Sequence, residues 1–336
     1  MNAAPLRKED IATAAEVDPP AEVREAAATA AKPRLFSAIG AAFSSLPPAR
    51  SLAKSAWPPM VGIVGFLILW AVLAPMVKTS LGTLPGPGDV WTAFTGLMSE
   101  ASAIRADAAA AEASGSSYTG PPSFIDQIFT SLKTVGLGFI LASIAAVPLG
   151  LVAGMSKGFN AAINPLVQVM RPVSPLAWLP IVTMVVSASM SGGDDSFLPK
   201  SFVISAIVVM LCSLWPTLIN TAIGTASIDK DLINVGRVLK LGWAARLTKL
   251  VLPSSLPYIF TGMRLSLGTG WMVLIAAEML AQNPGLGKFV WDEFQNGNEK
   301  SLSRIMVAVV VIGLIGFALD RVMMALQSFV SRNRTF

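Results

Sequence analysis

Four runs without a single charged residue, Ser55–Val77, Thr134–Met155, Pro172–Gly193 and Ser201–Ile228, constrain this chain more than anything else in it. A bilayer's hydrocarbon core is about 30 Å thick and a helix rises about 1.5 Å per residue, so about 20 apolar residues cross it. No water is available there to satisfy backbone N–H and C=O groups, so runs of this length fold as helices. Two further stretches meet the test with interruptions. One runs from about Leu256 to Leu280 and contains Arg264 and Glu278; the other covers Ile305–Leu319 and continues through the amphipathic Val322–Phe329. The expected fold is all-α, a polytopic membrane protein with about six transmembrane helices.

Composition agrees. Of 336 residues, 13% are charged and 53% hydrophobic, whereas a soluble domain carries about 25% charged residues. The chain has no His and one Cys, Cys212. That removes the usual general base, the commonest metal ligand, any Ser-His or Cys-His nucleophile and any intrachain disulfide, so no catalytic residue, metal or cofactor is expected on it. The net charge of +5 suits a membrane protein with basic inner loops. Nucleic-acid binding is set aside, because no stretch alternates basic with exposed aromatic residues.

An even number of spans puts both termini on one side. With that side taken as the cytoplasm, the inner flanks hold Arg50, Lys54, Lys157, Lys230, Arg237, Lys240, Arg246, Lys249, Arg321, Arg332 and Arg334. The outer side holds fewer bases and most of the acids, among them Asp89, Glu100, Asp126, Asp292 and Glu293. The bias of Lys and Arg in short loops places both termini inside. Residues 1–54 read as a cytoplasmic tail, disordered over Met1–Lys32 and amphipathic over Pro33–Lys54, where a helix can lie on lipid headgroups. Residues 55–330 form the transmembrane domain, with an Ala-rich outer insertion at about 100–122, and 331–336 a C-terminal tail.

The cytoplasmic loop of residues 228–253 is not a plain connector. Leu232, Val235, Val238, Leu239 and Leu241 form an apolar stripe, Gly242 offers a break, and Ala245–Val251 begins a second amphipathic segment expected to stop at Leu252–Pro253. Two short helices edged by Arg237, Lys240, Arg246 and Lys249 either dock on a soluble partner or lie on the headgroups.

This loop resembles the EAA loop of ABC-transporter permeases, in the importer family for nitrate, sulfonate, taurine and bicarbonate. With Leu252–Pro253 as anchor, the Glu-Ala-Ala triplet falls on Asn234–Val235–Gly236 and the pattern's Gly on Lys240, so both the Glu and that Gly are replaced. RPVSPLAWLP (Arg171–Pro180), LPSSLPYIFTGMRLSLG (Leu252–Gly268), AAEML (Ala276–Leu280), GLGKFV (Gly285–Val290) and ALDRV (Ala318–Val322) follow in the family's order. RPVSPLAWLP and NVGRVL look most like the nitrate branch.

The resemblance implies a type I, binding-protein-dependent importer permease in a bacterial inner membrane. Asn234, Val235, Gly236, Arg237, Leu239, Lys240 and Gly242 would then couple to a cytoplasmic ATPase. The chain lacks G-x-x-x-x-G-K-[ST], so ATP and Mg are expected on that partner and not here. An extracytoplasmic substrate-binding protein and a second permease chain, most simply in a homodimer, are implied as well.

Charged residues at membrane depth are functional candidates. Arg171 precedes Pro172, Pro175 and Pro180, so its span is kinked or discontinuous. Its guanidinium suits an anion pathway, with Ser174 and Trp178 as companions, or else snorkels to the interface. Arg264 is expected to anchor near the inner end of its span. Glu278 is expected to be paired or to cap a polar loop, with a structural or gating role. A carrier or channel needing no ATPase is the alternative of another class, but such a protein should show several mid-membrane acids or histidines. A sulfonate, taurine, bicarbonate or cyanate substrate is the alternative within the family.

Overall fold

The computed structural model describes residues 49–79, 82–116, 118–190, 198–298 and 300–332. The tail of residues 1–48 and residues 333–336 lie outside these, so the expectations of a disordered stretch and an interfacial helix fall there, apart from residues 49–54, which are helical. The chain divides into two units. The first runs to Phe66 and contributes the N-terminal part of helix α1 (Ala49–Leu73), in which Pro58 and Pro59 are accommodated.

The second unit, Leu67–Phe336, is built from helices. A 3₁₀ turn (Ala74–Met76) and a short antiparallel pair, β1 (Lys78–Thr79) with β2 (Gly82–Thr83), lead into α2 (Pro87–Ala113). Then come α3 (Phe124–Met155), α4 (Lys157–Met170), α5 (Pro175–Ser189), α6 (Lys200–Ala226) and α7 (Lys230–Val238). The chain ends with α8 (Trp243–Ala281), α9 (Leu286–Asn296) and α10 (Ser301–Arg332). Among the described residues, five helices are long and apolar enough to cross a membrane, or up to six if the α4–α5 pair counts as one span.

That pair corrects the expected third span. The α5 helix has 15 residues, about 22 Å at 1.5 Å each, and is too short to cross alone. Its axis is bent by 101° from α4 across Arg171–Ser174. Pro172 and Pro175 explain the break: neither can donate a backbone hydrogen bond, and each disfavours a helical residue before it. Pro180 lies inside α5 without ending it.

Two segments take a form the sequence left open. The Ala-rich stretch is helical to Ala113 as the C-terminal part of α2, and beyond Ala101 its side chains are exposed or half-buried. Alanine has the highest helix propensity, so this composition propagates the helix. The second amphipathic segment of the loop does not stop at Leu252–Pro253. The α8 helix starts at Trp243, passes through a π turn at Leu247–Val251 and carries Pro253 and Pro257 within it. The widened turn, in which the Leu252 N–H reaches the Leu247 carbonyl, absorbs the proline-rich stretch that follows.

The core is a close three-helix contact with α6 packed along both α3 and α8. On α3, Gly138, Ala142, Ala146, Gly150 and Gly154 recur every fourth residue; Ala142 and Ala146 are fully buried. Gly138, Gly150 and Gly154 face Val209, Thr221 and Thr225 of α6, which lie on one four-residue repeat with Ser213 and Thr217. A Cβ at Gly150 would stand 2.6 Å from Thr221 Cβ and 2.7 Å from the Leu218 carbonyl oxygen. Small residues let the backbones approach, which favours association where lipid offers no hydrophobic advantage. On the α8 side, the Ser266 hydroxyl donates to the Ser213 carbonyl and the Thr217 and Ser266 hydroxyls are 2.7 Å apart. The last helix is pinned to α8 by Trp271, which is buried and donates Nε1–H to the Ile312 carbonyl at 3.0 Å.

Candidate functional site

The α7 helix shows how nine residues too short to be stable alone are fixed in place. Asp229 caps its N-terminus by accepting from the Asp231 N–H at 2.9 Å. At the C-terminus the Lys240 N–H donates to the Arg237 carbonyl (2.9 Å) and the Leu241 N–H to the Gly236 carbonyl (3.0 Å). These are the two bonds of a Schellman motif. The motif requires a left-handed residue, and that residue is Lys240, at φ 48°. It is also the position where the resembled pattern has glycine. Gly242 is not the turn's special residue; it adopts an extended conformation and precedes α8.

A non-glycine side chain is disfavoured in this conformation by about 1 kcal/mol. Lys240→Gly is therefore expected to raise amide protection across residues 230–241 several-fold in hydrogen exchange, equivalent to about 1 kcal/mol. Lys240→Val should lower it. Equal protection in both variants would contradict the strain assigned to Lys240.

Gly236 is buried, and a Cβ there would stand 2.6 Å from Leu250 Cδ1. Its small size thus serves contact within the chain, seating α7 on the first turns of α8. The residues left outward are Asn234, Val235, Arg237, Val238, Leu239 and Lys240, with Val238 81% and Leu239 64% exposed. Trp243, at the start of α8, is 65% exposed. Arg237 Nη1 approaches Asn234 Oδ1 at 3.5 Å. The apolar stripe therefore divides in two: Leu232 and Leu241 are half-buried, while Val235, Val238 and Leu239 face out.

The charged span residues singled out by the sequence, Arg171, Arg264 and Glu278, are not brought together. Arg171 is the exposed C-cap of α4 and makes no side-chain hydrogen bond or ion pair among the described residues. Ser174 is the N-cap of α5, its hydroxyl accepting from the Leu176 N–H at 3.3 Å, and Trp178 is half-buried. Glu278 is fully buried and makes no ion pair among the described residues. Its carboxylate accepts from the Ser131 hydroxyl (2.9 and 2.8 Å), the Gly287 N–H (3.0 Å) and Asn283 Nδ2 (3.4 Å). Ser131 in turn accepts from the Leu286 N–H at 2.9 Å, and Asn283 donates to the Thr134 hydroxyl at 3.1 Å. One carboxylate thereby binds α3, α8 and the loop that opens α9. That loop fits only without side chains: a Cβ at Gly285 would lie 2.2 Å from Glu278 Oε1, and one at Gly287 2.1 Å from the Ile275 carbonyl oxygen.

Arg264 does not extend along its own helix to the interface. It turns sideways to Asp320 of α10, with Nε–Oδ1 at 2.5 Å and Nη2–Oδ2 at 3.0 Å, a bidentate pair. Asp320 escaped the sequence reading, although it is the only acid within the last span. At the other end of α10, Arg304 reaches both Glu100 of α2 (2.6 Å) and Glu293 of α9 (2.9 Å). Beside it lies a polar cleft of about 550 Å³ lined by Asp89, Thr92, Glu100, Lys300, Ser303 and Arg304 among others. No group of His, Cys, Asp and Glu able to hold a metal is present among the described residues.

Comparison with known proteins now adds to this geometry. Residues 146–334 match the family described as binding-protein-dependent transport system inner membrane component. The nitrate import permease NrtB of Synechococcus elongatus is 32% identical over 297 residues, covering 85% of this chain and 98% of the relative. The bicarbonate transport system permease CmpB of the same species is 34% identical over 286 residues, covering 82% and 89%. The NrtB of Synechocystis is 37% identical over 204 residues, covering 61% and 69%. A multi-span helical architecture, this family match and relatives aligned over most of their length lead to one conclusion: the chain belongs to the binding-protein-dependent transport system inner membrane components, the permease subunits of ABC importers.

Proposed function

We propose that this chain is the translocation subunit of an ATP-driven importer for a small oxyanion, with nitrate or nitrite as the substrate. Two copies form the pathway in a bacterial inner membrane, with both termini cytoplasmic. Two ATPase subunits bind α7 from the cytoplasm and carry the ATP and Mg. A substrate-binding protein delivers the anion from outside.

The observation that carries this reading is the outward apolar face of Val235, Val238 and Leu239, edged by Arg237 and Lys240. A solvent-facing segment gains nothing from such a face, whereas a partner's groove does. The seat of Gly236 on Leu250 gives the face a mechanical path, because Leu250 belongs to the helix that continues to Ala281. Movement of α7 by a closing ATPase pair is then transmitted to α8 directly. Nitrate is favoured by the NVGRVL and RPVSPLAWLP segments; bicarbonate relatives of similar identity make bicarbonate the second reading.

Purification from the native membrane in mild detergent tests the assembly. A Walker-A ATPase should co-purify, and a co-purifying binding protein should be saturated by nitrate at lower concentration than by bicarbonate or sulfonates. A chain that emerges folded and alone in several detergents contradicts the proposal, and preference for bicarbonate transfers it to the second reading.

A further inference from the structure

The α6 helix carries Pro216 within it. Proline has no N–H to offer the Cys212 carbonyl one turn earlier, so the backbone ladder is weakest there. The adjoining step is held from outside the helix. The Ser266 hydroxyl of α8 donates to the Ser213 carbonyl and accepts from the Thr217 N–H at 3.1 Å, the acceptor and the donor of one helical step. The Thr217 hydroxyl lies 2.7 Å from the same oxygen. A side chain that enters the ladder in this way, beside a proline, is a known cause of helix bending.

Backbone packing presses α8 onto that step. Gly262, Ser266 and Gly270 recur every fourth residue on α8. A Cβ at Gly262 would stand 3.0 Å from the Pro216 carbonyl oxygen, and one at Gly270 2.5 Å from Ser213 Oγ. Three hydrogen bonds thus converge on the Ser266 hydroxyl, while the hydroxyls on either side of the step have none. Ser213 and Thr221, one turn before and one turn after Thr217, are fully buried, and their hydroxyls make no hydrogen bond among the described residues. An orphaned buried hydroxyl costs free energy, which a second arrangement of the same helices can recover.

The weak step divides α6 mechanically. Pro216 lies about 15 Å from the end of the helix at Ala226, at 1.5 Å per residue. From there Ser227, Ile228 and Asp229 lead into α7. Resting on the proposed coupling of α7 to an ATPase, we infer that Pro216 is a hinge of the transport cycle and that the Ser266 hydroxyl is its latch. With the latch bound, the half of α6 that leads into α7 holds its present angle. When α7 is moved, Ser266 leaves the step, the Thr217 N–H closes on the Ser213 carbonyl, and Ser266 passes to the Ser213 hydroxyl. These polar groups are paired in both states, as a helix within a bilayer requires.

The test is ATP hydrolysis and uptake of labelled nitrate and labelled bicarbonate by the complete complex of permease, ATPase and binding protein in liposomes, beside thermal unfolding of the permease. Pro216→Ala gives the Cys212 carbonyl its donor and stiffens α6. It should unfold at or above the wild-type midpoint and still hydrolyse ATP, yet lower uptake by about tenfold. Ser266→Ala removes the latch at the cost of one neutral hydrogen bond. It should raise ATP hydrolysis in the absence of the binding protein by about fivefold. In the double variant that rise should vanish, because a stiff α6 leaves the latch nothing to hold. Wild-type uptake in Pro216→Ala overturns the inference, and so does a lowered midpoint, which makes the proline a packing residue. Unchanged basal hydrolysis in Ser266→Ala overturns the latch. A wild-type complex that moves neither anion on ATP overturns the import reading, and the hinge with it, before any substitution is made.

Discussion

Glu278→Ala is expected to unfold the end of the bundle where α3, α8 and α9 meet or abolish accumulation of the protein. The substitution leaves the Ser131 hydroxyl, the Gly287 N–H and Asn283 without their acceptor in a fully buried place. It also opens a cavity. Removing one side of a buried, charged hydrogen-bond network destabilises by about 3–5 kcal/mol. Glu278→Gln keeps the volume but presents an amide N–H to a neighbour that donates, so a loss of about 1–2 kcal/mol is expected. Gly287→Ala tests the same knot from the loop side, since its Cβ would stand 2.1 Å from the Ile275 carbonyl oxygen. Thermal unfolding in detergent should therefore rank wild type above Glu278→Gln, with Glu278→Ala and Gly287→Ala far below. Wild-type stability for Glu278→Ala would mean that the carboxylate is not the knot.

The second large effect concerns the opposite end of α8. Val238→Asp combined with Leu239→Asp puts two charges on the most exposed part of the apolar face. Losing the burial of two aliphatic side chains and adding desolvation of the carboxylates should weaken ATPase association by at least about 3 kcal/mol, about 100-fold. The fold should be untouched, because neither side chain is buried within the chain. Gly236→Leu should behave differently. Its side chain has to displace Leu250, so α7 tilts off α8 while its outer face survives. The ATPase should still bind and hydrolyse ATP, but uptake should fall. Co-purification and ATP hydrolysis measured beside uptake separate the two outcomes; full uptake in both variants would remove α7 from the coupling path.

Much of the architecture was legible from the spans, because absence of charge over twenty residues is a one-dimensional signal. The break after Arg171 could be read as well, since proline acts on its immediate neighbours. What misled were segments whose local chemistry has two outcomes. Alanines in residues 101–113 suit a solvated outer insertion, and that α2 runs on through them as helix is not written in the composition. Pro253 ends many helices, yet here a π turn admits it.

At the candidate site, the apolar stripe of α7 was visible, but not which half faces out, because that depends on the contact of Gly236 with Leu250. The substitution of the pattern's glycine by Lys240 was visible too; that the position demands a left-handed backbone was not. The pair of Arg264 with Asp320 joins residues 56 apart in sequence. Each charge could be found alone, and nothing local indicates the register that joins them. The partners of Glu278 on α3 are 147 residues away and were hidden for the same reason. The four-residue recurrence of Gly138, Ala142, Ala146, Gly150 and Gly154 could have been found in the sequence, as small residues on one face announce close packing in lipid.

The most direct test of the whole account is ATP-dependent uptake of labelled nitrate into liposomes holding the permease, its ATPase and its binding protein. Uptake against a gradient should require ATP and the binding protein together, and it should disappear in the Val238→Asp, Leu239→Asp variant. Nitrate entry that proceeds down its gradient without ATP, and is unchanged in that variant, would contradict the account and describe a carrier or channel instead.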